Sequence, residues 1–210
     1  MGKQALVTDL GDVLVTFWER SELVKVITAG FKDRDQKFHG PFFNGQGEDV
    51  YDAIDTGSMD MVTFHEKICQ ASGIRLSYER FLMLWARHLE IIKPVAELYR
   101  GIQKKTPIIV VSNGDIGSFH AADLLRVYAG IKFYEVFVSS DRRLKKPGLF
   151  GQVVVYLKSH GFDPGICPYV DDIQKYVWSA RQYGLGGIVF NGREQSVDVL
   201  KQSLAQFGIV

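Results

Sequence analysis

The chain has 210 residues, 46% hydrophobic and 23% charged, and a formal net charge of +1. That suffices for one sizeable core, or a core with a small appendage, and it excludes a disordered polypeptide. A near-neutral balance without basic or acidic blocks argues against nucleic acid or an anionic membrane as partner.

Two distant cysteines, Cys69 and Cys167, do not make a disulfide framework; two buried thiols in a reducing cytoplasm are expected. The opening MGKQALVTDL lacks a signal-peptide apolar region and no run reaches transmembrane length, so a cytoplasmic location is expected.

The first apolar run of strand length is Ala5–Thr8, and Asp9 follows it, then Gly11 and Asp12 in a turn. An acid at the C-terminal end of a buried strand faces the ligand crevice of an open α/β sheet, as nucleophile or metal ligand; it can equally cap a helix or turn. From Val15 to Lys93 the pattern becomes helical, with candidates at Ser21–Phe31, Met61–Ser72 and Tyr78–Glu90 and helix starts at Ser58–Asp60 and Ser77. A loop-rich HGPFFNGQGED separates the first two. Gly45 and Gly47 lack a third glycine and a preceding strand, which rejects a dinucleotide fingerprint. A helical module at 15–93 is thus inserted after the first strand, over the crevice.

A helix at Pro94–Lys104 then opens a regular alternation. Strands at Ile108–Val111, Val136–Ser139, Cys167–Val170 and Gly187–Phe190 are followed by helices at Phe119–Tyr128, Leu149–Ser159, Tyr176–Tyr183 and Val197–Phe207. Continuous apolar strands alternating with helices predict an α/β fold, a doubly wound parallel sheet covered on both faces, built from residues 1–14 and 94–210.

Three further strand ends carry polar groups. Ser112 and Asn113, or the backbone N–H groups of their turn, suit a phosphate oxygen; Ser-Asn-Gly is also ordinary turn chemistry. The basic run Arg142–Lys146 is either a solvated loop or the source of one fixed ammonium. Lys146 is the candidate because Pro147 stiffens the chain beside it. Asp171 and Asp172 repel each other and in a cleft require a cation, a partner or a proton; Mg²⁺ is the natural cation, and a helix-capping pair is the alternative. In a parallel sheet all four ends lie on one edge, which brings nucleophile, anion holder, ammonium and metal site together.

In this order and spacing, Asp9-Leu10-Gly11-Asp12-Val13-Leu14, Ser112-Asn113-Gly114, Lys146-Pro147 and Val170-Asp171-Asp172 resemble the motifs of the haloacid dehalogenase (HAD) superfamily, across essentially the whole chain. The resemblance implies a Rossmann-like core with a small α-helical cap, and a Mg²⁺-dependent phosphatase working through an aspartyl phosphate on Asp9. It implies Asp9, the Gly11 carbonyl and Asp171 or Asp172 as metal ligands, Ser112 and Asn113 on the phosphoryl oxygens, and Lys146 neutralising charge and orienting Asp9.

Gly11 departs from most family phosphatases, which carry an acid/base aspartate there; its loss lowers rate by roughly 10²–10⁴-fold. Asp-Leu-Gly at this position resembles the bacterial α-D-glucose-1-phosphatases, as do Asp55-Thr56-Gly57-Ser58 and Tyr78-Glu79-Arg80-Phe81. A small phosphorylated metabolite, with sugar phosphates among the candidates, is therefore the expected partner. A metal-independent 2-haloacid dehalogenase and a catalytically silent binding protein are the competing expectations. Phe17, Trp18, Phe42, Phe43 and Trp85 either line the inner face of the cap or pack its core, and His39 is a substrate contact or a surface-loop residue.

Overall fold

The computed structural model describes residues 2–17, 53–87, 89–128 and 130–210. In chain order these form β1 (Leu6–Thr8), β2 (Val15–Phe17), α1 (Met61–Ser72), α2 (Tyr78–Ala86), β3 (Leu89–Ile91), α3 (Lys93–Ile102) and β4 (Ile108–Ser112). There follow α4 (Ile116–Leu124), β5 (Glu135–Val138), the one-turn α5 (Ser139–Arg142), α6 (Leu149–Ser159), β6 (Pro168–Asp171), α7 (Gln174–Gln182), β7 (Gly186–Val189) and α8 (Val197–Ala205).

Five strands make one parallel sheet in the order β5-β4-β1-β6-β7. Its apolar runs are continuous because successive residues bury opposite faces. Leu6, Ile108, Val110 and Val170 pack with Val95 and Tyr99 of α3 and with Leu200 and Leu204 of α8. Val7, Ile109, Val111 and Tyr169 pack on the other side, with Leu149, Val153 and Leu157 of α6 and Val177 of α7. Each such aliphatic side chain contributes roughly 1.5–3 kcal/mol on burial, so both helical layers are held by the sheet. The chain leaves β1 on one side and returns on the other at β6, so the crevice at the C-terminal ends of β1, β4 and β6 is the ligand-binding position of such sheets.

Strand expectations hold to within a residue. Two helices differ more: α4 lies earlier than expected at both ends, Ile116–Leu124, starting where the Asp115 carboxylate accepts from the Ser118 N–H at 2.7 Å. The helix expected over Tyr78–Glu90 ends at Ala86. Leu89–Ile91 instead pairs antiparallel with Val15–Phe17 in a two-stranded ribbon. The expected helix Ser21–Phe31, and Trp18, His39, Phe42 and Phe43, lie outside the described residues.

Helices α1 and α2 carry their own core, with Phe64, Ile68, Phe81, Leu84 and Trp85. Asp60 and Ser77 cap them, accepting from the N–H groups of Thr63 at 2.7 Å and Arg80 at 3.2 Å. Cys167 is buried as expected, but Cys69 is only half-buried: it lies on α1 with Sγ 3.3 Å from His65 Nε2. No helix among the described residues is long and apolar enough to cross a membrane.

Candidate active site

Asp9 is the first residue past β1, and its N–H still donates to the Val170 carbonyl at 2.8 Å. The sheet pairing therefore carries Asp9 to the level of Asp171, the last residue of β6. Asp9 is 7% exposed and Asp171 fully buried. One carboxylate oxygen of Asp9, Oδ2, lies 3.2 Å from Lys146 Nζ; the other, Oδ1, is buried without a hydrogen-bond partner. Asp171 Oδ2 accepts from Lys146 Nζ at 2.8 Å and from the Tyr169 hydroxyl, while its Oδ1 accepts from the Ile173 N–H at 2.7 Å. With half-buried Asp172, the two acids form a cluster whose potential ligand oxygens all lie within 4.8 Å of one another.

Of the basic run, Lys146 alone is buried. Arg142 pairs with Glu135 at 3.3 Å and Lys145 with Asp55 at 3.5 Å. Lys146 is held along its whole length. Its N–H donates to Asn113 Oδ1 at 2.9 Å, its Nζ donates to the Tyr169 hydroxyl at 3.1 Å, and the ammonium lies 4.7 Å from the Tyr176 ring centre.

The electrostatics follow from two buried carboxylates sharing one ammonium, with Asp172 beside them. Burial alone would push the Lys146 ammonium down, but Asp9 and Asp171 outweigh it and hold it above the usual lysine range. Burial raises the Asp9 carboxyl against the pull of Lys146, and Asp171 adds to the rise. Asp172 is pushed up to about 6 by burial, then by the charges of Asp171 and Asp9. An all-oxygen donor set with surplus negative charge and one orphaned buried oxygen fits a hard divalent cation.

The remaining predicted residues flank this cluster. Ser112 ends β4 half-buried, and Asn113 follows it. The Asn113 amide is engaged by the protein: Oδ1 by Lys146, Nδ2 by the Tyr176 hydroxyl at 3.3 Å. Gly11 sits in the turn after Asp9, bridged to Val15. Asp12 next to it adopts a left-handed conformation (φ 50°), and its carboxylate lies 3.6 Å from Arg193.

Tyr169 and Tyr176 belong to the site and were not anticipated from the sequence. Tyr169 had a legible signal, since residues two apart on a strand share a face and Asp171 is two away. Tyr176, on α7, had none. Beside Ser112 and Leu10 lies a cavity of about 260 Å³ between α2 and the sheet edge.

No family model matches the chain. Solved structures do. A HAD family enzyme from Bacteroides thetaiotaomicron superposes with a TM-score of 0.71 at 18% identity, over 95% of this chain and 99% of that one. The fold is that of the HAD enzymes.

A HAD-like family hydrolase from Porphyromonas gingivalis gives 0.66 at 17% identity, covering 97% and 98% of the two chains. The L-2-haloacid dehalogenase of Xanthobacter autotrophicus gives 0.55 at 16% identity, covering 100% and 85%. The Bacteroides enzyme has been crystallised in complex with magnesium and inorganic phosphate. In the HAD fold of this chain, Asp9, Ser112, Lys146, Asp171 and Asp172 all stand at or near the C-terminal edge of the parallel sheet.

Proposed function

We propose that this chain is a Mg²⁺-dependent phosphatase of the HAD type, hydrolysing a small phosphorylated metabolite through phosphorylated Asp9. The carrying observation is the Asp9–Asp171–Asp172 cluster beside buried Lys146. The magnesium and phosphate bound by the Bacteroides neighbour support the same reading. Asp9, Asp171, Asp172 and the Gly11 carbonyl would hold Mg²⁺, which supplies charge neutralisation at the phosphoryl oxygens.

The chain's own residues do the rest. Asp9 attacks phosphorus; an Oδ–P bond forms as the ester P–O bond breaks, and the departing alkoxide takes a proton from solvent water to leave as the alcohol. Water then attacks the same phosphorus, releasing phosphate and restoring the carboxylate. Lys146 favours the ionised form of Asp9 and holds it in place, with Asp171 and Tyr169 fixing the ammonium and the Asn113 amide fixing its backbone. The Ser112 hydroxyl and the Asn113 N–H receive phosphoryl oxygens, and the inserted module serves as a cap, with Ile54, Asp55 and Trp85 beside the site. Gly11 offers no carboxyl to the departing alcohol. In this reading the enzyme is cytoplasmic and engages neither nucleic acid nor membrane.

Dehalogenation is the second reading, raised by the fold likeness to L-2-haloacid dehalogenases. Three clustered carboxylates oppose it, because a carboxylate substrate would add to negative charge that the single Lys146 ammonium does not offset.

Phosphate release from a panel of phosphorylated metabolites, with Mg²⁺ or with a chelator, separates the readings. Release that needs Mg²⁺ and disappears in Asp9→Asn is the expected result. Metal-independent halide release from a 2-haloacid, or tight binding without turnover, would overturn the phosphatase.

A further inference from the structure

The cavity beside Ser112 is bounded by Leu10, the residue after Asp9, and by Ser112 and Asn113 themselves, so it abuts the phosphoryl position of the proposed reaction. At about 260 Å³ it exceeds the roughly 150 Å³ of apolar space that accommodates a benzene ring. Its walls include Trp85 of α2 on one side and Phe119 and Tyr128 on the other, the last two stacked with ring centres 5.2 Å apart.

Among the described residues of its lining, several polar side chains are already engaged by the protein. Asp115 accepts from both the N–H and the hydroxyl of Ser118, Asp55 pairs with Lys145, and the Asn113 amide is held by Lys146 and Tyr176. Sugar hydroxyls placed against Trp85, Phe119, Leu10 and Val15 would lose water without an equivalent set of partners, whereas an apolar ring gives up no hydrogen bond of its own.

Resting on the phosphatase reading, we infer that this cavity receives the alcohol half of the substrate, and that the substrate is a phosphomonoester of an aromatic or otherwise apolar alcohol rather than of a sugar.

The test compares benzyl phosphate with glucose 6-phosphate, both esters of primary alcohols, so that leaving-group chemistry is matched. Acetyl phosphate, too small to use the cavity, reports on the reaction itself. With Mg²⁺ present, kcat/KM for benzyl phosphate is expected to exceed that for glucose 6-phosphate by roughly tenfold or more. Phe119→Ala should narrow that ratio, chiefly by raising KM for the benzyl ester. The wild type alone provides a second measure: benzylphosphonate should inhibit acetyl phosphate turnover at least about tenfold more tightly than methylphosphonate.

Equal or better turnover of glucose 6-phosphate, with acetyl phosphate hydrolysed, overturns the inference and leaves the phosphatase standing. Absence of acetyl phosphate turnover removes the phosphatase reading, and this inference with it.

Discussion

Lys146 carries the charge balance of the site, being, among the described residues, the ammonium paired with both buried carboxylates of the cluster, Asp9 and Asp171. Lys146→Met should therefore cost more than a lost contact: the carboxylates stay buried without their counter-charge, and denaturant titration should show a loss of about 3–5 kcal/mol at neutral pH. Tyr169→Phe removes only a hydroxyl shared with Lys146 and Asp171, so about 1 kcal/mol and a fewfold loss of turnover are expected, measured on the same variant. Asp9, Asp171 and Asp172 were legible in the sequence because each stands at or just after an apolar run of strand length, and Lys146 because Pro147 singles it out from the basic run. Asn113 was legible as a site residue, but the inward turn of its amide was not. That turn depends on Lys146, thirty-odd residues further along the chain, folding back against it.

At the scale of elements, local signals and remote ones part company. Helix α1 was read to the residue because its cap, its apolar spacing and its terminating Gly73 are all local. The β2–β3 ribbon was not, since three-residue strands have no pattern of their own and Leu89–Ile91 becomes a strand only by meeting Val15–Phe17. Asp60→Ala should destabilise by about 1 kcal/mol. The Thr63 N–H holds the Asp60 carboxyl below its ordinary value, so its contribution is present above the unfolded-state value and fades as pH falls through the lowered folded one. Denaturation of wild type and variant at neutral and strongly acid pH should show the gap closing. Gly57 and Gly73 provide a matched pair, both at φ 68°. A Cβ on Gly73 meets nothing within 4 Å, whereas on Gly57 it would lie 2.2 Å from the Ser140 carbonyl oxygen. Gly73→Ala should cost roughly 1 kcal/mol for backbone strain alone, and Gly57→Ala clearly more, read from melting temperatures.

For the molecule as a whole, the parallel sheet was the most legible feature, because strands buried on both faces leave continuous apolar runs that alternate with helices. The strand order placing β1 between β4 and β6 turns those runs into a site, bringing Asp9 level with Asp171. A cation there ties stability to ligand: Mg²⁺ at a hundredfold excess over its Kd should stabilise the protein by about 2.7 kcal/mol, raising Tm, and Asp171→Asn should abolish most of that rise. The identity of the alcohol was not legible, since the cavity walls come from α2, α4 and the loop after it, which only the tertiary fold assembles. The most direct test of the phosphatase mechanism is acid quenching during turnover with Mg²⁺, followed by mass-spectrometric mapping of the phosphoryl group. One phosphoryl group on Asp9, and none in Asp9→Asn, is the predicted result; phosphate release by Asp9→Asn at the wild-type rate, or a phosphoryl group on another residue, would contradict it.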